Sequence, residues 1–407
     1  MELSSTVSSR ADASSGRPVS GGLPAGTVVA REPQPSHQRS PHYRTAADGP
    51  RVVLCGLGTA LPENGVSQSE AAALSASWIH GADPRTVATL YRLSGVKHRQ
   101  SVLAGEDSES HSTFYTAAKD EHDRGLSTSD RMEHYAAEAG PLAESACRAA
   151  MRNAGTSSSE FTYLVTVSCS GFTAPGFDNA LIERHDLPRS IARTHVGFIG
   201  CHGLMNGLRV AKAFAAADPQ ATVLVCAVEL CTLHQQYTND PQRIVANALF
   251  SDGAAAVVVS SADADHVGWE LRAQSSFVIP ETSDLMGWQV GNHGFEMTLS
   301  PSVPEVIRTT LGPWLRDWLA KLDLRVEHIP AWAIHPGGPR ILTETADGAG
   351  FDPALLAPSR EVLASHGNMS SPTVAFILER LQNAGAEPPC VMLGFGPGLT
   401  IEAALLG

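Results

Sequence analysis

The feature that most constrains the fold of this 407-residue chain is a pattern that occurs twice. Cys201 stands where a predicted helix begins, and the next apolar strand starts 21 residues later. Asn368 stands at a second predicted helix start, and a strand follows 22 residues later. Small and apolar residues continue both stretches, at 253–257 and 401–405. We therefore predict an internal duplication whose pseudo-two-fold brings Cys201 and Asn368 together at its centre.

Strands alternate with helices along both halves of this pattern. The predicted strands are residues 51–55, 163–167, 221–228, 253–260, 332–334, 390–393 and 401–406. Such alternation is typical of an α/β sheet covered by helices. We divide the chain into a disordered tail rich in Ser, Pro, Gly and Arg (1–48), a half that carries Cys201 (49–262) and a half that carries Asn368 (263–407).

Cap residues and prolines predict the boundaries of the earlier helices. Ser67 and Glu70 form a capping box for a helix that runs to about residue 79. Residues 100–130 are polar, without a clear period, and we expect them to be exposed. The next helix is expected to be interrupted at Gly140 and Pro141, because proline removes a helical hydrogen bond.

Charge and cysteine content exclude several classes of protein. The formal net charge of −13 argues against a nucleic-acid surface, and no stretch approaches the ~18 continuous apolar residues of a membrane helix. The seven cysteines are residues 55, 147, 169, 201, 226, 231 and 390. Their number is odd and none forms a CxxC pair, so we expect reduced thiols in a cytoplasmic protein, without a disulfide framework or a zinc site.

Cys201 is the candidate nucleophile, with His335 and Asn368 as its partners. Free N–H groups and the helix dipole at a helix start favour a thiolate. His335 follows a strand in a loop of proline and glycine, and an imidazole there can hold the cysteine ionised. Asn368 cannot titrate but can donate hydrogen bonds to an oxyanion. The residues alone also allow a buried structural cysteine, a loop histidine and a helix-capping asparagine.

This trio suits acyl transfer through a thioester, followed by a carbon–carbon bond formed by a decarboxylation-derived enolate. Neither step needs a metal or a redox cofactor. Five segments, taken in order, resemble the type III polyketide synthases, the chalcone synthase-like branch of the thiolase fold. The segments are residues 200–201, 247–256, 334–339, 367–371 and 394–400. The last two are specific to this branch. The resemblance covers residues from about 50 to 407 and implies an α/β thiolase fold in a duplicated, five-layered αβαβα arrangement.

The resemblance also implies roles for individual residues. Cys201 would take the starter acyl group from coenzyme A, while His335 and Asn368 would stabilise the enolate and the oxyanion. Phe250 would be the gatekeeper aromatic between the coenzyme A tunnel and the cavity. The family is homodimeric and uses an acyl-CoA starter with malonyl-CoA as its usual extender. We therefore expect a homodimer that releases a pyrone, resorcinol or phloroglucinol-type product.

The candidate pocket departs from that of the plant chalcone synthases. The departures are Cys169, Cys231 and His234 in place of threonines, Trp288 in place of a glycine, and Met297 in place of an aromatic residue. Ser370 matches a serine near the catalytic centre, and Ala174 stands where a methionine reaches across the dimer. This cavity argues against a coumaroyl starter, and the small Cys169 favours a long fatty acyl chain in a side tunnel.

Two further questions stay open at the level of sequence. Arg92, Lys97 and Arg99 are candidates to meet the phosphates of coenzyme A, or they form only a solvated basic cluster. The reaction could also be a single condensation onto an acyl carrier protein, as in ketoacyl synthases of type III, or the chain could be a catalytically silent thiolase-fold protein.

Overall fold

Thirteen strands and ten α-helices occur in a computed structural model, which describes residues 50–105, 114–262 and 268–407. The tail assigned to residues 1–48 lies outside these ranges. The strands are β1 Arg51–Ala60, β2 Gly65–Ser67, β3 His98–Gln100, β4 Tyr163–Ser168, β5 Ala192–Gly197, β6 Thr222–Leu230, β7 Asp252–Ala262, β8 Trp269–Val278, β9 Met286–Gly291, β10 Gly294–Leu299, β11 Ala331–Ile334, β12 Cys390–Gly396 and β13 Thr400–Leu406. The helices are α1 Gln68–Trp78, α2 Pro84–Leu93, α3 Thr128–Ala154, α4 Phe177–Arg184, α5 Gly203–Ala217, α6 Pro241–Leu249, α7 Val303–Ala320, α8 Pro339–Ala349, α9 Ala357–His366 and α10 Thr373–Asn383.

Nine of the strands form one sheet whose two ends repeat the same order of pairing. In the first half, β1 pairs antiparallel with β7, β7 antiparallel with β6, and β6 parallel with β4. In the second half, β8 pairs antiparallel with β13, β13 antiparallel with β12, and β12 parallel with β11. Two residue pairs between β1 and β8, Val53 with Glu270 and Leu54 with Trp269, join the halves. The topology therefore repeats as the spacing of Cys201 and Asn368 suggested.

Helices cover the two halves in corresponding positions. The central helices α5 and α10 share one apolar core, which includes Leu204 and Leu208 of the first half and Val374 and Ile377 of the second. Helix α3 packs on the outer face of the first half, while α7 and α8 cover the outer face of the second half. When the two halves of the sheet are counted as separate layers, the order of layers is α, β, α, β, α. The predicted thiolase-type α/β arrangement is therefore confirmed.

Local signals predicted the first helix well and the third one poorly. The Ser67 hydroxyl accepts the Glu70 N–H at 3.2 Å, and the Glu70 carboxylate accepts the Ser67 N–H at 2.9 Å, as a capping box requires. The predicted interruption at Gly140 and Pro141 is wrong, because α3 runs unbroken through both residues. Pro141 removes a single hydrogen bond on the exposed side, whereas the opposite side of the helix is buried against the sheet.

The prediction that residues 100–130 are exposed holds for 116–130, which are exposed or half-buried, but is wrong on either side of the undescribed residues 106–113, where Leu103, Ala104, Phe114 and Tyr115 are buried. Phe114 and Tyr115 are buried, and the Tyr115 hydroxyl donates to the Thr232 carbonyl at 2.7 Å. The Tyr115 ring lies 4.6 Å, between centroids, from the ring of Trp78. Aromatic residues at irregular spacing in a polar segment leave no periodicity, so their burial could not be predicted from pattern.

Candidate active site

Cys201 lies in a turn between β5 and α5, two residues before the helix begins at Gly203. Gly200 enters this turn with a φ of 90°, in the left-handed region that favours glycine. Burial raises the pKa of the Cys201 thiol to about 11, although the side chains of Ser370 and Asn368 act to lower it. Burial therefore opposes the thiolate that a helix start favours.

His335 directly follows β11, where its backbone N–H donates to the Leu393 carbonyl at 2.8 Å. The side chain is 1% exposed, and neither ring nitrogen has a hydrogen-bond partner among the described residues. Burial, with a smaller effect of His202, lowers the pKa of the His335 ring to about 3. The ring is thus a neutral imidazole whose donor and acceptor are both free to meet a substrate or a thiol.

Asn368 reaches the site through a backbone pairing and not through a helix start. The predicted helix begins only at Thr373, so that placement was wrong. The Asn368 N–H donates to the Leu249 carbonyl, and its own carbonyl accepts the Ser251 N–H, both at 2.9 Å. Its side-chain oxygen accepts the Ser370 N–H at 2.8 Å. The amide NH₂ group therefore remains available on the side of the Cys201 thiol.

The Cys201 thiol opens onto a cavity that lies among side chains of both halves. Six of the seven predicted pocket residues line it, namely Cys169, Cys231, Phe250, Trp288, Met297 and Ser370. His234, the seventh, lines a neighbouring chamber. The predicted residues are thus gathered around one reactive side chain, in two adjoining spaces.

Both halves of the chain match a known family of proteins. Residues 39–263 match the N-terminal domain of the chalcone and stilbene synthases, and residues 270–407 match their C-terminal domain. The chain belongs to the chalcone and stilbene synthase family. The predicted enzyme class, a type III polyketide synthase and therefore a carbon–carbon bond-forming acyltransferase, is confirmed by this membership and by the named relatives.

Three relatives of the synthase cover nearly its whole described length. A 1,3,6,8-tetrahydroxynaphthalene synthase from Streptomyces peucetius subsp. caesius is 33% identical over 361 residues, which are 87% of this chain and 92% of that protein. The alpha-pyrone synthesis polyketide synthase-like Pks18 of Mycobacterium tuberculosis is 31% identical over 364 residues, 87% of this chain and 90% of that one. The crystal structure of PKS-I from the brown alga Ectocarpus siliculosus superposes with a TM-score of 0.81 at 27% identity, covering 89% of this chain and 99% of its own.

Trp288 lines both spaces of the synthase and forms a hydrogen bond between them. The Trp288 indole N–H donates to the Cys169 carbonyl at 2.7 Å, and its ring stands edge-on to His234 at 5.7 Å between centroids. Nδ1 of His234 accepts the Phe295 N–H at 3.0 Å, while Nε2 lies 2.6 Å from the Ser170 carbonyl. Burial lowers the pKa of His234 to about 3. The neutral ring, with both nitrogens hydrogen-bonded, supports Trp288, whose side chain we call the Trp288 wall.

Glu229 is a site residue that the sequence analysis missed. This fully buried carboxylate of β6 accepts the hydroxyls of Ser170 and Ser371, both at 2.6 Å. It also accepts the backbone N–H groups of Cys169 and Ser170 at 2.9 Å. Burial raises the pKa of Glu229, and the carboxylate lines the Cys201 cavity. The signal that could have revealed it is a single charge within an otherwise apolar strand.

The remaining predicted residues have different surroundings. Arg92 and Lys97 are exposed and remain candidates for the phosphates of coenzyme A. Arg99 is 1% exposed and donates to main-chain carbonyls, so the prediction that it meets coenzyme A is wrong. Ala174 lies exposed in the loop between β4 and α4. Among the described residues, no helix has the length and apolar character needed to cross a bilayer.

Proposed function

We propose that this synthase loads an acyl-CoA starter onto Cys201 and extends it by repeated decarboxylative condensation with malonyl-CoA. The observation that carries the proposal is a buried thiol that interacts with the Asn368 amide, together with a His335 imidazole that has no hydrogen-bond partner among the described residues. The His335 ring lies close enough to His202, the neighbour of Cys201 in the chain, for their charges to interact. Such an arrangement is suited to passing a proton and to stabilising an oxyanion.

The loading step begins from a neutral thiol. As the Cys201 sulfur bonds to the thioester carbonyl carbon of the starter, the thiol becomes much more acidic, and its proton can then pass to a free ring nitrogen of His335. The carbonyl oxygen becomes an oxyanion, which the Asn368 NH₂ group stabilises by donating a hydrogen bond. The oxyanion then collapses, the carbon–sulfur bond to coenzyme A breaks, and the leaving thiolate takes the proton from His335.

In the extension step, His335 and Asn368 stabilise the negative charge of an enolate. Malonyl-CoA loses CO₂, and the electron pair of the broken bond becomes an enolate whose oxygen accepts hydrogen bonds from His335 and Asn368. The enolate carbon attacks the acyl group on Cys201, forms the new carbon–carbon bond and expels the cysteine thiolate. No electron passes to or from a cofactor in either step, so we propose that the synthase uses neither a metal nor a redox cofactor.

The Trp288 wall bears on which starter is accepted. Its indole N–H bonds to the carbonyl of Cys169, where the sequence had suggested a side tunnel, and its ring lines the second chamber as well as the Cys201 cavity. We propose that the chamber receives the far end of a long acyl chain when Trp288 turns aside. Replacing Trp288 with glycine joins the two spaces, and we expect the starter preference to shift towards longer acyl chains. An unchanged preference in a folded W288G protein would contradict this role.

The proposal is tested with purified protein, malonyl-CoA, and short, aromatic and long-chain acyl-CoA starters. We expect release of coenzyme A and a pyrone, resorcinol or phloroglucinol-type product by mass spectrometry. Cys201→Ala should abolish both covalent loading and product, while Cys390→Ala, a buried thiol remote from the cavity, should retain them. Strict dependence on an acyl carrier protein would instead indicate a single condensation. Absence of product from every starter would contradict the proposal.

We also propose that the synthase is a homodimer joined at the β5 edge. Strand β5 ends the nine-stranded sheet and has β4 as its neighbour on one side. Phe172 and Phe198, on either side of this edge in the chain, are 56% and 40% exposed, and Ala174 lies near Phe172. An open strand edge with exposed aromatic residues favours pairing with a second copy. Light scattering should give twice the monomer mass, and Phe198→Asp should reduce it to one.

A cytoplasmic location is consistent with the thiols of the described residues. All seven cysteines are free, and Cys201 must stay reduced to accept an acyl group. Because reducing compartments keep thiols in this state, we propose that the synthase acts in the cytoplasm, where acyl-CoA and malonyl-CoA are its partners. Fractionation of cells that produce the tagged protein checks this location.

A further inference from the structure

Arg99 is a buried cation that takes no part in the chemistry above. Its side chain is 1% exposed, and its guanidinium faces the end of α6. One terminal nitrogen donates to the carbonyls of Asn247 and Phe250, at 2.7 and 2.8 Å. The other donates to the Ala248 carbonyl and to the Gln68 side chain. A single guanidinium thus binds three main-chain carbonyls within four consecutive residues.

These carbonyls are the acceptors that the end of a helix leaves without partners. The Ala246 carbonyl accepts the Phe250 N–H, and the Leu249 carbonyl accepts the Asn368 N–H. Arg99 takes the carbonyls of Asn247, Ala248 and Phe250. Every carbonyl from 246 to 250 is therefore satisfied, and the positive charge also complements the negative end of the α6 dipole.

The same short segment connects Arg99 to the reacting groups. On the side opposite to the guanidinium, residues 249 and 251 pair with Asn368 through two hydrogen bonds of 2.9 Å. Between them, the Phe250 ring lines the Cys201 cavity. We propose that Arg99 is a positioning residue for condensation, which places the Asn368 amide and the Phe250 ring by holding residues 247–250 from behind.

The geometry requires an arginine. A guanidinium presents its donors in a planar fork, whereas a lysine ammonium is a compact point charge that could reach fewer of these carbonyls. Asp252, which follows the segment, interacts with the Arg99 charge, and the guanidinium carbon lies 5.5 Å from the centre of the Tyr91 ring. Asp252 is itself bound by Thr232 and by the Val102 N–H, so its position does not depend on Arg99.

The inference, which rests on the proposed function, predicts an unequal effect on the two chemical steps. Loading depends chiefly on the Cys201 thiol, which belongs to the turn before α5. Loading uses the Asn368 amide for one oxyanion, whereas extension uses it for two charges, the enolate oxygen and the oxyanion that forms as the enolate attacks the acyl group. A displacement of segment 247–250 therefore impairs extension more than loading. Misplacement of a catalytic group by about 1 Å can reduce a rate by about a hundredfold.

The test compares Arg99→Lys with Arg131→Lys. Arg131 is a matched control because it is also fully buried and donates to main-chain carbonyls, those of Leu126, Leu233 and Gln235, but not to segment 247–250. Acyl loading on Cys201 is followed by intact-protein mass spectrometry, and extension by product formation with malonyl-CoA. We expect R99K to reduce the ratio of extension to loading by about tenfold or more. R131K should leave this ratio within about twofold of the wild type.

A second measurement does not depend on activity. Hydrogen–deuterium exchange of the Ser251 and Asn368 amides should accelerate in R99K and stay unchanged in R131K, because their pairing loses its support. Unchanged exchange, or a ratio that falls equally in both variants, would overturn the proposal. If R99K does not fold, Gln68→Met removes a guanidinium partner and a donor to Ala248, and should shift exchange the same way. If the exchange of the Ser251 and Asn368 amides responds to R99K as expected but the wild type extends no acyl chain, the proposed function is refuted and the positioning role of Arg99 is not.

Discussion

The two halves of the synthase share a topology but treat the polar groups at their strand ends in opposite ways. In the first half, the residues after β4 surround Glu229, which is bound by two hydroxyls and two backbone N–H groups. In the second half, His335 comes directly after β11 and both nitrogens of its ring lack a partner among the described residues. One strand end is thus fully satisfied, and the other is left free for a substrate.

This difference shows how a duplicated scaffold can separate support from reaction. Buried polar groups are normally hydrogen-bonded, and an unpartnered one is destabilising. The satisfied cluster at Glu229 fixes the wall of the cavity through Ser371, which is close in sequence to Asn368. The unsatisfied ring of His335 keeps its hydrogen-bonding capacity for the thioester. The predictions below set the supporting half against the reacting half.

The largest effect is expected from removing the free imidazole. His335→Ala deletes the group that takes the thiol proton and binds the enolate oxygen, so the rate of product formation should fall by about 100-fold to 10,000-fold. No hydrogen bond of the ring is lost, so the loss of stability should be limited to the cavity that alanine leaves. His185→Ala, in the first half, is the control and should keep its activity. Steady-state rates and thermal melting measure both, and an active H335A protein would contradict the assignment.

Removing the supporting carboxylate should lower the stability of the protein, whereas removing the imidazole lowers its activity. Glu229→Ala leaves the hydroxyls of Ser170 and Ser371 and two backbone N–H groups without an acceptor in a buried place. We expect the free energy of unfolding to fall by about 2–4 kcal/mol, since each unsatisfied buried group is destabilising. Urea denaturation measures the loss. If E229A were as stable as the wild type, the cluster would not have the supporting role that distinguishes the first half.

Sequence reasoning captured the parts of this comparison that depend on neighbours in the chain. The capping box at Ser67 and the turn at Cys201 are set within a few residues, and the strand alternation reveals the layers. Motifs of the family brought His335 and Asn368 into the site as well. These features were therefore predictable, in type if not in every boundary.

Contacts between distant residues could not be predicted. Asn368 is placed by pairing with residues 249 and 251, more than 100 positions away, so its helix-start assignment failed. Burial raises the pKa of the Cys201 thiol, an effect that a helix-start rule does not include. Arg99 resembled a surface cation but lies under α6. In each case the deciding contact or burial arises only when the elements pack.

Two corresponding glycines sharpen the comparison of the outer helices. Gly140 of α3 and Gly312 of α7 each precede a proline. A Cβ at Gly312 would lie 2.1 Å from the Gly348 carbonyl oxygen of α8, whereas one at Gly140 would lie 3.1 Å from the Ala180 side chain. We expect Gly312→Ala to lower the free energy of unfolding by about 1–3 kcal/mol through overpacking. Gly140→Ala should change it by less than about 1 kcal/mol, because helix propensity offsets a milder contact. Equal effects in denaturant titrations would show that the halves pack alike.

The smallest expected effect is a difference in acid sensitivity between the two buried histidines, one from each half. Burial lowers the pKa of His234 and of His335 from 6.5 to about 3. Between these pH values each histidine is protonated in the unfolded chain but not in the folded protein. The contribution of the neutral ring to the free energy of unfolding is therefore fully present above pH 6.5 and is lost as the pH falls. Each histidine should contribute a slope of about 1 kcal/mol per pH unit.

Replacing either histidine with glutamine should remove its share of that slope, which urea denaturation at pH 8, 6 and 5 can resolve. The variants should differ at pH 8. His234→Gln breaks the bond from the Phe295 N–H and the bond to the Ser170 carbonyl, so it should be less stable there by about 1–2 kcal/mol. His335→Gln breaks none and should match the wild type. Equal stability of the two variants at pH 8 would show that the two hydrogen bonds of His234 do not stabilise the protein. The proposed difference between the two halves would then be wrong for their histidines.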